Sequence, residues 1–245
     1  VSIGMGLDKR IGGRFLRAGP AYGGSCFPKD TRAILNTANQ IKSNLSLIKS
    51  VIKSNENRSR ILTERIFKML NGNLRNKKIC FLGVTFKANT DDMRESSSIK
   101  MIPALSKKGA LISYYDPTGE KKEFKKIKNV KFKPSIKSCC ESSDLVIIHT
   151  EWNDFKSIDF KKIMKKNNFK LFDMRNIYSV EKMIKDKINL KDIYFRIRNN
   201  EYKRRQAPIG LRVTSKAFGV GRRMPIVNNF KPLQLYIYKR WAFKE

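Results

Sequence analysis

A thiol set in a glycine-rich turn is the feature of this sequence best suited to chemistry. In Gly19-Pro-Ala-Tyr-Gly-Gly-Ser-Cys-Phe-Pro-Lys-Asp30, glycines at 19, 23 and 24 let the backbone turn tightly and approach a ligand without interference from a Cβ. Cys26 follows at once, and Pro28-Lys29-Asp30 opens an apolar-periodic run (Ile34, Leu35, Ala38, Ile41) that reads as a helix. Proline suits a first helical position, where its missing N–H costs nothing. Cys26 is therefore expected just before a helix N-terminus and beside Lys29, surroundings that favour the thiolate over the thiol. A thiolate behind a glycine cradle is the pattern of a covalent catalyst. The alternative is a small buried hydrophobe, for which glycines and a Lys-Asp pair are poor company.

Helices and strands must position this turn. Upstream, Ile11, Phe15 and Leu16, interleaved with Arg10, Arg14 and Arg17, have helical spacing up to Gly19. Downstream, one helix is predicted from about Pro28 to Ile48. A second runs from about Ser54 to Leu70, with Ile61, Leu62, Ile66, Phe67, Met69 and Leu70 on its apolar face and Asn71-Gly72-Asn73 as its stop. Two long helices with no strand between them predict a helical layer or a dimerisation spine. At about Lys77 the period changes. Lys78–Gly83, Leu111–Tyr115, Lys131-Phe132, Asp144–His149 and Phe169–Asp173 read as strands. Helical patterns lie between them at Ser98–Lys108, Asp159–Lys166 and Val180–Lys185, the first expected to kink or restart at Pro103. This alternation predicts an α/β fold with a doubly wound, mostly parallel sheet.

Such a sheet binds ligands at the carboxyl ends of its strands. That rim carries Thr85-Phe86-Lys87, Asp116, Thr150-Glu151-Trp152 and Asp173-Met-Arg175-Asn176. The first strand runs into Gly83-Val-Thr-Phe-Lys87, with a single glycine rather than the Gly-x-Gly-x-x-Gly of a dinucleotide cradle. His149 and Trp152 read as packing residues.

Composition narrows the choices. The 245 residues allow one large or two modest domains, and 40% hydrophobic residues permit a real core. The net charge of +32 fits either a polyanion partner or lysine-rich drift; the lysines are scattered, which favours drift, and a phosphate-bearing ligand would gain from the field either way. Four cysteines (26, 80, 139, 140) without Cys-x-x-Cys spacing, and one histidine, argue against a zinc site or a disulfide framework. With no long apolar run and no signal-peptide pattern, a reducing cytoplasm is expected, without membrane or nucleic-acid partners. The chain opens mid-pattern at Val1, so a preceding segment is expected.

The segment from Gly6-Leu-Asp-Lys-Arg10-Ile-Gly12 through the Cys26 turn to Thr31 resembles the UDP-glucose/GDP-mannose dehydrogenase family. The likeness continues in Leu82-Gly-Val-Thr-Phe-Lys87, Thr90-Asp-Asp-Met-Arg94-Glu-Ser96, Tyr115-Asp-Pro117, Thr150-Glu-Trp152 and Phe172-Asp-Met-Arg-Asn176, ending near Ile193-Tyr-Phe-Arg196. It is more similar to the UDP-glucose branch than to the N-acetylmannosamine branch. The resemblance implies a central helical dimerisation region over residues 1–72 and a Rossmann-like UDP-sugar-binding domain over 73–198. It implies NAD-dependent oxidation of UDP-glucose to UDP-glucuronate, with Cys26 forming a thiohemiacetal and then a thioester, and Asp30 positioning the hydrolytic water. By the same resemblance Arg17, Ala18, Gly19, Pro20, Ala21, Tyr22 and Gly23 would cradle the sugar, and Phe86, Lys87 and Arg175 would contact the sugar nucleotide. Arg10 would reach a partner subunit's active site; Cys26, Lys29 and Arg94 would face NAD. The family's glycine-rich NAD domain has no counterpart here, so the chain is expected to be a carboxyl-terminal portion of such an enzyme. A separate amino-terminal NAD-binding chain is among its expected partners, and a non-catalytic UDP-sugar-binding or dimerising remnant is the alternative. Residues 199–245 (Lys203-Arg-Arg205, Arg222-Arg223, Lys239-Arg-Trp241) do not resemble the family and read as a basic, disordered tail.

Overall fold

Helices come first in the chain and a parallel sheet follows, in a computed structural model that describes residues 2–13, 16–166, 168–179 and 193–195. Helix α1 (Ser2–Gly6) ends before the residues whose spacing reads as helical up to Gly19; Arg10, Ile11, Leu16 and Arg17 are not helical, and Arg14 and Phe15 lie outside the described residues. The chain then turns, with Gly12 at φ +68°. Helices α2 (Cys26–Gln40) and α3 (Ser46–Met69) form the helical layer. Their break falls earlier than the apolar spacing predicts. Lys42 takes a left-handed φ of 55°, and α2 closes as a Schellman motif: Ser43 N–H donates to the Ala38 carbonyl at 2.8 Å and Lys42 N–H to that of Asn39 at 3.2 Å. Asn71, at φ 58°, ends α3 in the same way, with Gly72 N–H donating to the Phe67 carbonyl at 2.9 Å.

The sheet half runs β1 (Lys78–Leu82), α4 (Ser98–Lys107), β2 (Leu111–Tyr115), β3 (Val130–Phe132), α5 (Ile136–Cys140), β4 (Leu145–Ile148), a 3-10 turn (Asn153–Ser157), α6 (Phe160–Ile163), β5 (Lys170–Asp173) and β6 (Ile193–Phe195). Strand order is β3-β2-β1-β4-β5-β6, and each neighbouring pair is parallel. This is the doubly wound arrangement, with its switch point between β1 and β4. Helix α4 passes through Pro103 as one element rather than restarting there. The helix read over Asp159–Lys166 shrinks to α6, whose start is fixed by the Asp159 carboxylate accepting the N–H groups of Lys161 and Lys162. Helix α5, the 3-10 turn and β6 have no counterpart among the elements read from pattern. The helix read at Val180–Lys185 and the basic tail at 199–245 lie outside the described residues.

Alternation along β1 builds both faces of the core. Ile79 and Phe81 meet Leu62, Ile66 and Met69 of α3 together with Met101, Ile102 and Leu105 of α4. Cys80 and Leu82 meet Val146, Ile148, Leu171, Phe155 and Phe160 on the other side. Burial of α3 in the same cluster as β1 and α4 anchors the helical layer to the sheet, and it fixes where α3 presents its polar face. Cys80, Cys139 and Cys140 are buried together behind β1, with sulfurs 2.8 and 3.5 Å from that of Cys80. Burial pushes the thiols of Cys80 and Cys139 up. No helix among the described residues is long and apolar enough to cross a membrane.

Candidate active site

Cys26 is exposed and is the first residue of α2, which begins two residues earlier than the position of Pro28 suggested. Its sulfur stands at the positive end of the helix dipole, 3.7 Å from the Ser25 hydroxyl. Asp30 is exposed one turn along, with the Lys29 ammonium 3.6 Å from its carboxylate. Both flank the sulfur's side of the helix by their spacing.

The turn preceding Cys26 is gripped on two sides. From α3, the Asn55 amide accepts the Tyr22 N–H and donates to the Tyr22 carbonyl, both at 3.0 Å. Arg58 Nε donates to the Pro20 carbonyl at 3.0 Å. From the loop after β1, the Arg94 carbonyl accepts the Gly24 N–H at 2.8 Å. Glycines are required here by contact. A Cβ on Gly23 would lie 2.6 Å from the Glu95 carbonyl oxygen, and one on Gly24, at φ +82°, would lie 2.7 Å from the Phe86 ring. The Arg32–Glu95 ion pair at 3.0 Å ties α2 to the same loop. Pro20 is buried, Ala21 half-buried, and Arg17 and Ala18 exposed. The Tyr22 and Phe27 rings are 5.9 Å apart.

The sheet rim completes the cluster. Phe86 is half-buried against Gly24, and the exposed Lys87 holds its ammonium 5.3 Å from the Phe86 ring centroid. Arg94 is exposed, pairs with Asp92 at 2.8 Å and lies close enough to Cys26 to interact with it electrostatically. Arg175 spans the switch point. Its Nη2 donates to the Phe86 carbonyl at 2.6 Å and its Nε to the His149 carbonyl at 2.9 Å, with Glu151 at 2.8 Å. Nη1 lies against Gly19, where a Cβ would stand 2.6 Å from it. One arginine thus binds the ends of β1 and β4 together and backs the glycine turn. Burial pulls its guanidinium down, opposed by Glu151 and Asp173. Asp173 itself is pushed up to about 6 by burial, while backbone N–H groups of Tyr178 and Arg175 work the other way. His149 is buried against Ser97 and Thr150, and burial lowers it to about 3, so it is a neutral packing residue, as read from the sequence.

Arg10 stands apart from this cluster: its guanidinium folds back onto Asp8 at 2.7 Å in an exposed turn. Sequence reasoning missed Asn55, Arg58, Arg32 and Glu95. The signal available was Asn55 and Arg58 at a three-residue spacing within the polar stretch Ser54-Asn-Glu-Asn-Arg58, which marks one polar stripe on an otherwise amphipathic helix.

The crevice after β1 does not fit a dinucleotide. Such a site needs free N–H groups at a glycine turn and an acid at the end of β2 aimed at ribose. Here Val84 N–H donates to Asp116 at 2.9 Å, Asp116 also accepts from Thr118, and a Cβ on Gly83 would meet Thr150 at 2.5 Å. An open cleft of about 630 Å³ between residues 90–94 and 118–123 includes only Arg94 among the site residues read from the sequence. Its acids (Asp91, Asp92, Glu120, Glu123) outnumber its bases (Arg94, Lys121, Lys122), which disfavours a phosphate-bearing ligand.

With this geometry in place, comparison with known proteins is informative. Residues 1–57 match the central domain of the UDP-glucose/GDP-mannose dehydrogenase family, and residues 80–180 match its UDP binding domain. UDP-glucose 6-dehydrogenase from Rhizobium meliloti is 40% identical over 188 residues, 76% of this chain and 43% of that protein. The Rickettsia typhi enzyme is 41% identical over 189 residues, with the same coverage. A solved UDP-glucose dehydrogenase from Pyrobaculum islandicum superposes with a TM-score of 0.62 at 30% identity, over 74% of this chain and 40% of that one. The chain therefore spans less than half the length of the curated relatives it matches. Two successive domain matches in one order, covering more than half of its residues, establish that it belongs to the UDP-glucose/GDP-mannose dehydrogenase family.

Proposed function

We propose that this chain carries the sugar-nucleotide site and the thiol of an NAD-dependent UDP-glucose 6-dehydrogenase. The observation that supports this best is an exposed Cys26, at the first turn of α2, on a glycine loop packed against Phe86 and Arg175. In this reading residues 1–72 form the central region and 73–198 the UDP-sugar-binding domain. Arg17 to Gly23 cradle the sugar, with Phe86, Lys87 and the Nη1 edge of Arg175 facing the sugar nucleotide, and Arg10 serves a second subunit. Lys29 and Arg94 stand on the cofactor side.

The thiol has a definite task. Once the C6 alcohol has become an aldehyde, the Cys26 sulfur adds to its carbonyl carbon; a C–S bond forms, the π pair goes to oxygen, and that oxygen takes a proton. The resulting thiohemiacetal has a hydrogen that can leave as hydride, which a bare aldehyde does not readily release. NAD, when bound, supplies the hydride acceptor. At the thioester stage, water attacks the same carbon and the C–S bond breaks, with Asp30 placed one turn from the sulfur to orient that water and take its proton. The crevice after β1 does not fit NAD; in this reading the cofactor binds elsewhere, on the side of Lys29 and Arg94.

Ile34 on α2, Ile41 just past its end, and Leu47 and Val51 on α3 are exposed apolar side chains, which suit a second copy of the chain. Free thiols among the described residues suit a reducing cytoplasm. Calorimetric titration of the purified chain with UDP-glucose tests the reading. Saturable binding supports it, and no heat at millimolar ligand overturns it. Mixing the chain with UDP-glucose and NAD should produce no NADH, consistent with a binding half that needs a cofactor platform.

A further inference from the structure

We infer that Asn55 is a positioning residue, whose side-chain amide sets the shape of the glycine turn that presents Tyr22 and Cys26 to the sugar nucleotide. The inference rests on the reading of that turn as a sugar cradle. Asn55 is half-buried in mid-α3, thirty-three residues from its partner. It treats Tyr22 as a neighbouring strand would, with Oδ1 accepting the N–H and Nδ2 donating to the carbonyl, each at 3.0 Å. Both polar groups of one backbone residue are thereby satisfied by a single planar side chain, which an amide does and a carboxylate or hydroxyl does not. The other flank is fixed by backbone alone: Gly24 N–H to the Arg94 carbonyl at 2.8 Å, with no room for a side chain at 23 or 24. The sheet side therefore fixes the turn at Gly24, and Asn55 fixes it at Tyr22. Cys26 follows within four residues. Because α3 is itself locked by Leu62, Ile66 and Met69 in the core, the amide transfers the rigidity of the sheet domain to the loop.

The test compares the full chain with Asn55→Leu, which keeps bulk and removes both hydrogen bonds, and with Asn55→Asp. Amide hydrogen exchange is followed separately over residues 19–27 and over β1 and β4, and UDP-glucose affinity is measured alongside. For Asn55→Leu, exchange over 19–27 should rise about tenfold, equivalent to about 1.4 kcal/mol, with β1 and β4 unchanged, and affinity should fall by a similar factor. At neutral pH the Asn55→Asp carboxylate sets an oxygen against the Tyr22 carbonyl and should behave no better. On acidification the protonated carboxyl regains a donor, so relative to Asn55→Leu at the same pH, loop protection and affinity should return. A residue that merely stabilised the fold would show no such pH-dependent rescue. Unchanged exchange over 19–27, or a rise shared equally with β1 and β4, overturns the inference. Absence of UDP-glucose binding by the unaltered chain would instead count against the sugar-nucleotide reading, while the exchange comparison still decides whether Asn55 holds the turn.

Discussion

Gly24→Ala should cost about 2–6 kcal/mol of stability and most of the affinity for a sugar nucleotide. Two effects add. At φ +82° a non-glycine residue loses about 1–3 kcal/mol relative to glycine. The new Cβ would also stand 2.7 and 2.8 Å from two atoms of the Phe86 ring, an overpacking worth about 1–3 kcal/mol more. Phe86 cannot yield freely, since its carbonyl is held by Arg175 and its Cβ is close enough to Gly23 that a Cβ there would lie 3.1 Å from it. Gly119→Ala separates the two effects. Gly119 has a similar φ of +87° with nothing within 4 Å of its built Cβ, so it reports the backbone cost alone. Urea unfolding of both variants is the assay. A Gly24→Ala loss no larger than that of Gly119→Ala would refute the close packing of the turn on Phe86, and with it the joining of the Cys26 loop to the sheet rim.

Further expectations concern the thiols, the brace and pH. Iodoacetamide should label Cys26 alone in the folded chain, because Cys80, Cys139 and Cys140 are buried; peptide mass spectrometry reads this directly, and labelling of Cys80 at a comparable rate would contradict the packing behind β1. Arg175→Lys should destabilise by about 2–4 kcal/mol in the same unfolding assay, since one ammonium cannot reach the Phe86 and His149 carbonyls and Glu151 together; a loss under 1 kcal/mol would show that the brace is dispensable. Burial, and then the charge of Arg175, hold His149 at about 3 against 6.5 in the unfolded chain. The unfolded state therefore takes up a proton that the folded state refuses, so the contribution is complete above pH 6.5 and is lost as pH falls towards 3, by at most about 5 kcal/mol. His149→Gln should flatten the stability profile over that window, and an unchanged slope would mean that His149 accepts a proton in place.

Much of this arrangement is written in local pattern. Strands β1, β2, β4 and β5 are short β-branched or aromatic runs with clear ends, and Asn71-Gly72 announces the end of α3, so the parallel sheet could be read directly. Lys42 could not: nothing in its type demands a left-handed conformation, and the break between α2 and α3 moved accordingly. The glycine turn was legible as a close approach, but not what it approaches, because Phe86, Glu95 and Arg175 arrive from 62 to 156 residues away. Arg175 shows the difference most plainly. Its type and rim position suggest a ligand contact, whereas the fold engages Nε and Nη2 internally and leaves Nη1 against Gly19. Asn55 was invisible for the complementary reason, since a single polar residue on a helix is ordinarily solvated.

The central claim is that the Cys26 sulfur lies at the sugar end of a UDP-glucose site. The most direct measurement is the rate of Cys26 alkylation by iodoacetamide with and without saturating UDP-glucose, using UDP alone as the control. UDP-glucose should slow alkylation by about tenfold or more and UDP markedly less, because only the sugar covers the thiol. Alkylation that proceeds at the same rate with UDP-glucose fully bound would contradict it.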